Sequence, residues 1–157
     1  MDIEFKLLGE VQKSDIIDLM NNQLVRRQMP LLTGKFDENT CSKFIEAKET
    51  LWQNHGYGPW AFIVKGQFAG WGGLQMENGE ADMALVLHPN YWGIGKLLFK
   101  KVINKAFGEM GLTSITVLFP PTRTRIQGIL RLGFIKEGKH QVGNEEFIRY
   151  RLNKPVK

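Results

Sequence analysis

Apolar residues recur along the chain with two periods, and the switching between them predicts its elements. Residues 3–7, Ile-Glu-Phe-Lys-Leu, alternate apolar and polar and predict a strand with one buried face. Ser14-Asp15 offers an N-cap before Ile16-Ile17-Asp18-Leu19-Met20, a short helix that loses regularity before Pro30. A second helix opens at Asn39-Thr40, carries Phe44, Ala47 and Leu51-Trp52 at helical spacing, and stops at Gly56. Three strands follow over 60–64, 68–76 and 81–87, joined by reversals at Gly66-Gln67 and Asn78-Gly79, so an antiparallel meander is expected. A glycine-rich turn then leads into a helix from Lys96 to about Met110, closed by Gly111, and into a strand over 114–119. Strand, helix and strand in that order imply a parallel pair with a right-handed crossover. Pro120-Pro121 ends that strand, Thr122 is placed to cap a fourth helix running through Arg131-Leu132, and strands over 134–140 and 146–152 turn near Gly143-Asn144.

Composition narrows the class. The 157 residues, 43% apolar and 24% charged, suit one packed globular domain, and no linker or internal repeat divides them. Lys and Arg number 21 against 16 Asp and Glu, a net charge of +5 that favours anionic partners. The basic residues are scattered, however, and Trp60, Phe62 and Trp71 lie in apolar runs that read as core, so nucleic-acid binding is not expected. Cys41 is the single cysteine, which removes an internal disulfide, and with His55 and His140 it makes no metal-ligand spacing. The first residues do not form a signal peptide and no apolar run approaches the roughly 18 residues of a membrane span, so a cytoplasmic protein with no membrane partner is expected.

The candidate chemistry lies in residues 88–98, His-Pro-Asn-Tyr-Trp-Gly-Ile-Gly-Lys-Leu-Leu. Two glycines remove Cβ atoms where the backbone turns, and a helix start leaves free N–H groups at the positive end of the macrodipole, so the turn suits a phosphate or pyrophosphate. It is neither a Gly-x-x-x-x-Gly-Lys-Ser/Thr loop nor a dinucleotide fingerprint, whose third glycine would fall at Leu98. The order β-α-α-β-β-β-α-β-α-β-β, with this turn between the fourth strand and the third helix, resembles the GNAT superfamily of acyl-CoA-dependent N-acyltransferases over nearly the whole chain. That family carries Gln/Arg-x-x-Gly-x-Gly/Ala here, and the matching residues are Trp92-Gly93-Ile94-Gly95-Lys96-Leu97, with Trp92 where Gln or Arg is usual and Leu97 replacing the final small residue. Tyr91-Trp92-Gly93, Gly56-Tyr57-Gly58-Pro59-Trp60 and Leu132-Gly133-Phe134 are similar to the ribosomal-protein-alanine N-acetyltransferase branch.

The resemblance implies a single α+β domain over residues 1–157: a mixed, mostly antiparallel twisted sheet of about seven strands with four helices, strands four and five parallel and splayed. It implies acetyl-CoA in the V-shaped opening, with main-chain groups near Val86 and Leu87 on the pantetheine and the amides of Gly93, Ile94, Gly95, Lys96 and Leu97 on the pyrophosphate. The Lys96 ammonium adds charge there, Trp92 covers the cofactor, and Arg123 and Arg125 reach the CoA phosphates. The reaction implied is attack of a primary amine, on a protein N-terminus or a small molecule, on the thioester. Asp82 on the fourth strand is the expected base, with His88 as a proton relay. Tyr150 substitutes for the helix tyrosine of many members, which has no counterpart between Thr122 and Phe134. No metal is implied, and the partners are the acceptor amine and, in a homodimer, a second copy of the chain. A CoA-binding module without turnover is the alternative.

Overall fold

The structure is a computed structural model, and it describes residues 2–156. One seven-stranded sheet runs through it in the order β1 (Ile3–Lys6), β2 (Pro59–Val64), β3 (Gln67–Glu77), β4 (Glu80–Leu87), β5 (Ser114–Phe119), β7 (Glu145–Asn153) and β6 (Ile135–Val142). Neighbours are antiparallel except β4 and β5. Five α-helices cover the two faces: α1 (Lys13–Asn21), α2 (Gln23–Arg26), α3 (Glu38–His55), α4 (Gly95–Asn104) and α5 (Gln127–Arg131). The fold is the expected α+β sheet with a parallel fourth and fifth strand, and α2 is the helix beyond the four expected.

Period-two burial explains the two layers. Met83 and Leu87 of β4, Ile115 and Val117 of β5, and Phe62 of β2 face α4, where they pack on Leu98 and Val102. Ala61 and Trp71 face the other way, onto Ile16, Leu19, Cys41 and Ile45 of α1 and α3. The predicted core aromatics Trp60, Phe62 and Trp71 are all buried.

Local chemistry sets several boundaries differently from the pattern. Helix α1 begins at Lys13, ahead of Ser14, and Gln12 flanks it without a side-chain cap. Helix α3 is capped by Asp37, whose Oδ1 accepts the Thr40 N–H at 2.8 Å, so Asn39 lies inside the first turn. The predicted 96–110 helix starts at Gly95, is regular through Asn104, and widens into a π turn over Lys105–Glu109 before Met110. The largest correction concerns Thr122, which caps nothing: residues 120–123 form a turn in which the Arg123 N–H donates to the Pro120 carbonyl, residues 123–126 are irregular, and α5 is confined to Gln127–Arg131. With the Thr122 side chain at the corner of this turn, the first main-chain bond that leads into α5 is that from the Leu130 N–H to the Ile126 carbonyl.

The hairpin between β3 and β4 is tight, with Asn78 and Gly79 both at positive φ as a two-residue turn requires. Strand β3 must also approach β4 closely. A Cβ on Gly70, at φ 155°, would lie 2.2 Å from the Val86 carbonyl oxygen. Gly70→Ala is therefore expected to lower stability by about 2 kcal/mol, read from the midpoint of urea unfolding.

Candidate active site

The sheet opens between β4 and β5. Their parallel ladder has two rungs, Asp82↔Thr116 and Met83↔Val117, whereas β3 stays paired with β4 up to Gly70↔Leu87 and β7 with β5 up to Phe119↔Ile148. Beyond the second rung the two halves of the sheet part. A cleft of about 890 Å³ runs through the gap, lined by Met83, Leu85 and Leu87 from one face of β4 and by Asp82, Ala84 and Val86 from the other, so it opens on both sides of the sheet.

The edge of β4 inside this gap has unpaired main-chain groups. Opposed residues of an antiparallel pair exchange both hydrogen bonds or neither, so alternate residues point to the same neighbour. The His88 N–H donates to the Ala69 carbonyl at 2.9 Å, which fixes the even-numbered residues of β4, Val86 among them, toward β3. The main-chain groups facing the gap are those of Leu85 and Leu87. Of the two residues expected to pair with pantetheine, Leu87 turns its main-chain groups into the gap, where its carbonyl accepts the Trp92 Nε1–H, while Val86 offers only its side chain to the cleft. That Leu85 also turns its main-chain groups into the gap follows from hairpin register, which composition does not express.

On the α4 side of the cleft stand Trp92, Gly95, Lys96, Arg123 and Arg125. The turn before α4 is itself helical, a 3-10 segment over Pro89–Ile94, and its last carbonyls are used: the Gly95 N–H donates to the Trp92 carbonyl. The Gly95 amide is therefore not free for an anion, contrary to expectation. Gly95 takes ordinary right-handed helical angles, and a Cβ there would meet nothing closer than Leu85 Cδ2 at 3.7 Å, while a Cβ on Gly93 would meet nothing within 4 Å. The glycines are not demanded by the chain's own turn; they leave space outside it, at the positive end of a ten-residue helix. The Trp92 ring is 47% exposed and its Nε1–H donates to the Leu87 carbonyl at 2.9 Å, tying the turn to the open edge of β4. Arg123 lies 4.0 Å over the Phe119 ring, and burial lowers its proton affinity.

On the other side the cleft meets Met29, Leu31 and Leu32 from the loop after α2, Val142 and Phe147 from the last hairpin, and Asp82 and Glu77. Asp82 Oδ1 accepts the Thr116 hydroxyl at 2.7 Å. Burial pushes its carboxyl up to about 7; the Thr116 hydrogen bond and Arg149 oppose this, and Glu77 and Glu80 reinforce it. Glu80 pairs with Arg151, which also binds Glu137. Nearby, Lys48 of α3 donates to Gln75 Oε1 and lies 5.0 Å over Trp71, and burial lowers its ammonium to about 8.

Five expected residues are not among those that line the cleft: Gly93, Ile94 and Leu97 of the turn, and the proton-transfer candidates His88 and Tyr150. His88 Nδ1 accepts the Asn90 N–H at 3.1 Å and so caps the 3-10 segment. Tyr150 pairs in register with Val117 on the α4 face, is 5% exposed and packs against Phe119, on the opposite face of the sheet from Asp82. Neither lines the opening.

The model of the acetyltransferase (GNAT) domain family matches residues 7–135. The chain belongs to this family. The GNAT fold is shared with solved structures at low identity. An acetyltransferase from Agrobacterium tumefaciens str. C58 is 14% identical with a TM-score of 0.78, covering 97% of this chain and 91% of its own. The microcin C7 self-immunity acetyltransferase MccE, in complex with acetyl-CoA and AMP, is 16% identical with a TM-score of 0.76 over 98% and 93%. The N-acetyltransferase PseH of Campylobacter jejuni, in complex with acetyl coenzyme A, is 15% identical with a TM-score of 0.67 over 98% and 100%. None of the curated proteins matches this GNAT sequence.

Proposed function

We propose that this GNAT domain moves the acetyl group of acetyl-CoA to a primary amine by direct attack on the thioester. The observation that carries the reading is the position of Asp82 at the fork of the sheet, on the acceptor side of a cleft whose other end presents the α4 N-terminus, Lys96 and Arg123. The pantetheine arm lies against the open edge of β4, where the main-chain groups of Leu85 and the Leu87 N–H supply the pairing groups while Trp92 holds the Leu87 carbonyl, and the diphosphate lies over Gly93 and the first turn of α4. Asp82 takes the proton of the incoming ammonium, directly or through a water, at a proton affinity suited to neutral pH. A β4 main-chain N–H stabilises the oxyanion as the C–N bond forms. The C–S bond then breaks, CoA leaves as a thiolate whose ordinary pKa, roughly 8.5 for an alkyl thiol, permits departure without a dedicated acid, and the second proton on the attacking nitrogen passes to that thiolate or to water as the amide forms.

The test is thiol release from acetyl-CoA with an alanine-initiated peptide, spermidine and kanamycin as acceptors. Saturable release with at least one of them is expected. Binding of CoA without release from any amine converts the reading into that of a CoA-binding module, and absence of CoA binding by calorimetry removes it. Trp92→Phe keeps the ring but loses the N–H to Leu87, so CoA affinity is expected to fall roughly threefold to tenfold, measured by the same calorimetry.

A further inference from the structure

Thr116 has a buried polar side chain within the apolar stretch of β5: it is 1% exposed, between Ile115 and Val117. A valine would fill the position without a hydroxyl to satisfy, and a buried hydroxyl is costly unless it is bonded. This one donates to Asp82 Oδ1, and the two residues are register partners on the first of the two rungs before the strands part. One carboxylate oxygen is therefore fixed at the place where β4 and β5 are still joined. The other, Oδ2, has no hydrogen-bond partner among the described residues and is not sealed from solvent.

The other groups facing Asp82 do not hold it. Glu77 of β3 and Glu80 of β4 repel its charge, and Arg149 of β7 acts only through space. Arg149 is engaged by Glu137 of β6, and Arg151 by Glu80 and Glu137. Gln75, opposite Asp82 on β3, receives the Lys48 ammonium from α3.

We infer that Thr116 is the positioning residue for the base: its hydroxyl turns Asp82 Oδ1 into the sheet, presents Oδ2 to the acceptor amine, and biases the group toward its ionised form. The inference rests on the proposed role of Asp82, and its test separates the two. The midpoint of the Asp82 carboxyl is followed by carbon-13 NMR, with the signal assigned by its loss in Asp82→Asn. Thr116→Val is expected to raise that midpoint by roughly one pH unit, because a hydrogen bond to the charged form is lost. Thr116→Ser, which keeps the hydroxyl, is expected to restore it to within a few tenths. The acidic limb of kcat/KM, measured with the best acceptor of the panel above, should move by the same amount. An unchanged midpoint in Thr116→Val overturns the inference whatever the activity. A shifted midpoint with an unshifted kinetic limb overturns it as well, since Asp82 would then not be the base. Absence of turnover with every amine defeats the proposed function, while the titration still decides whether Thr116 controls Asp82.

Discussion

Asp82→Asn is expected to lower kcat by about 10²–10⁴-fold and, at pH 8, to make the protein more stable. The two effects have one cause. Moving a carboxyl from 3.8 to about 7 costs the ionised form roughly 4 kcal/mol in the folded state. Because the folded value is raised, the favourable contribution of this group is fully present below 3.8 and is lost as pH rises through about 7. An asparagine carries no such penalty and still offers an oxygen to the Thr116 hydroxyl. The melting midpoint should therefore rise by on the order of 10 °C at pH 8, and the difference should all but vanish below about pH 4. In the parent protein kcat/KM should increase with pH through a midpoint near 7. Calorimetric melts at the two pH values, beside a pH–rate profile, check each part. Full activity in Asp82→Asn would exclude it as the base, and an unchanged melt at pH 8 would exclude the buried carboxylate.

Gly95→Val is expected to weaken CoA binding by roughly tenfold to a hundredfold, about 1.4–2.8 kcal/mol, with little change in folding. Gly95 has α-helical angles that any residue adopts, and a Cβ there makes only ordinary contacts with Leu85 and Leu87. Gly95 lines the cleft, so added side-chain volume there narrows it. A glycine kept for the chain's own turn would behave in the opposite way: its replacement would unfold the protein and leave the affinity of the folded fraction intact. Isothermal titration with CoA and a urea melt on the same variant distinguish the two. Gly93→Ala, with open space around its Cβ, is the milder companion and should follow the same order.

The sequence by itself determined the elements and most of their partners. Alternation in residues 3–7, the apolar runs of β2 and β5, and Asn78-Gly79 each express a local rule, either a face to bury or a turn with positive φ, and such rules act within a few residues. The same locality explains the errors at Ser14, Asn39 and Thr122: several adjacent polar side chains can cap a helix, and the choice depends on what the preceding chain is tied to. Asp82 was legible as an acid in an apolar strand. Its hydroxyl donor was not, because Thr116 is 34 residues away and the two meet only through the parallel rung.

The tertiary structure alone decided which groups share the cleft. Tyr150 and Asp82 lie on strands separated by β5, yet strand parity sends them to opposite faces. Register likewise turned the main-chain groups of Leu85 and Leu87 into the gap and those of Val86 away from it. In the glycine turn the sequence determined an anion-suited composition, and the structure shows that the chain's own bend does not require Gly95, which has ordinary helical angles and room for a Cβ. Composition sets what a segment is able to do, whereas register and strand parity, fixed by pairing over long sequence distances, set what each side chain faces.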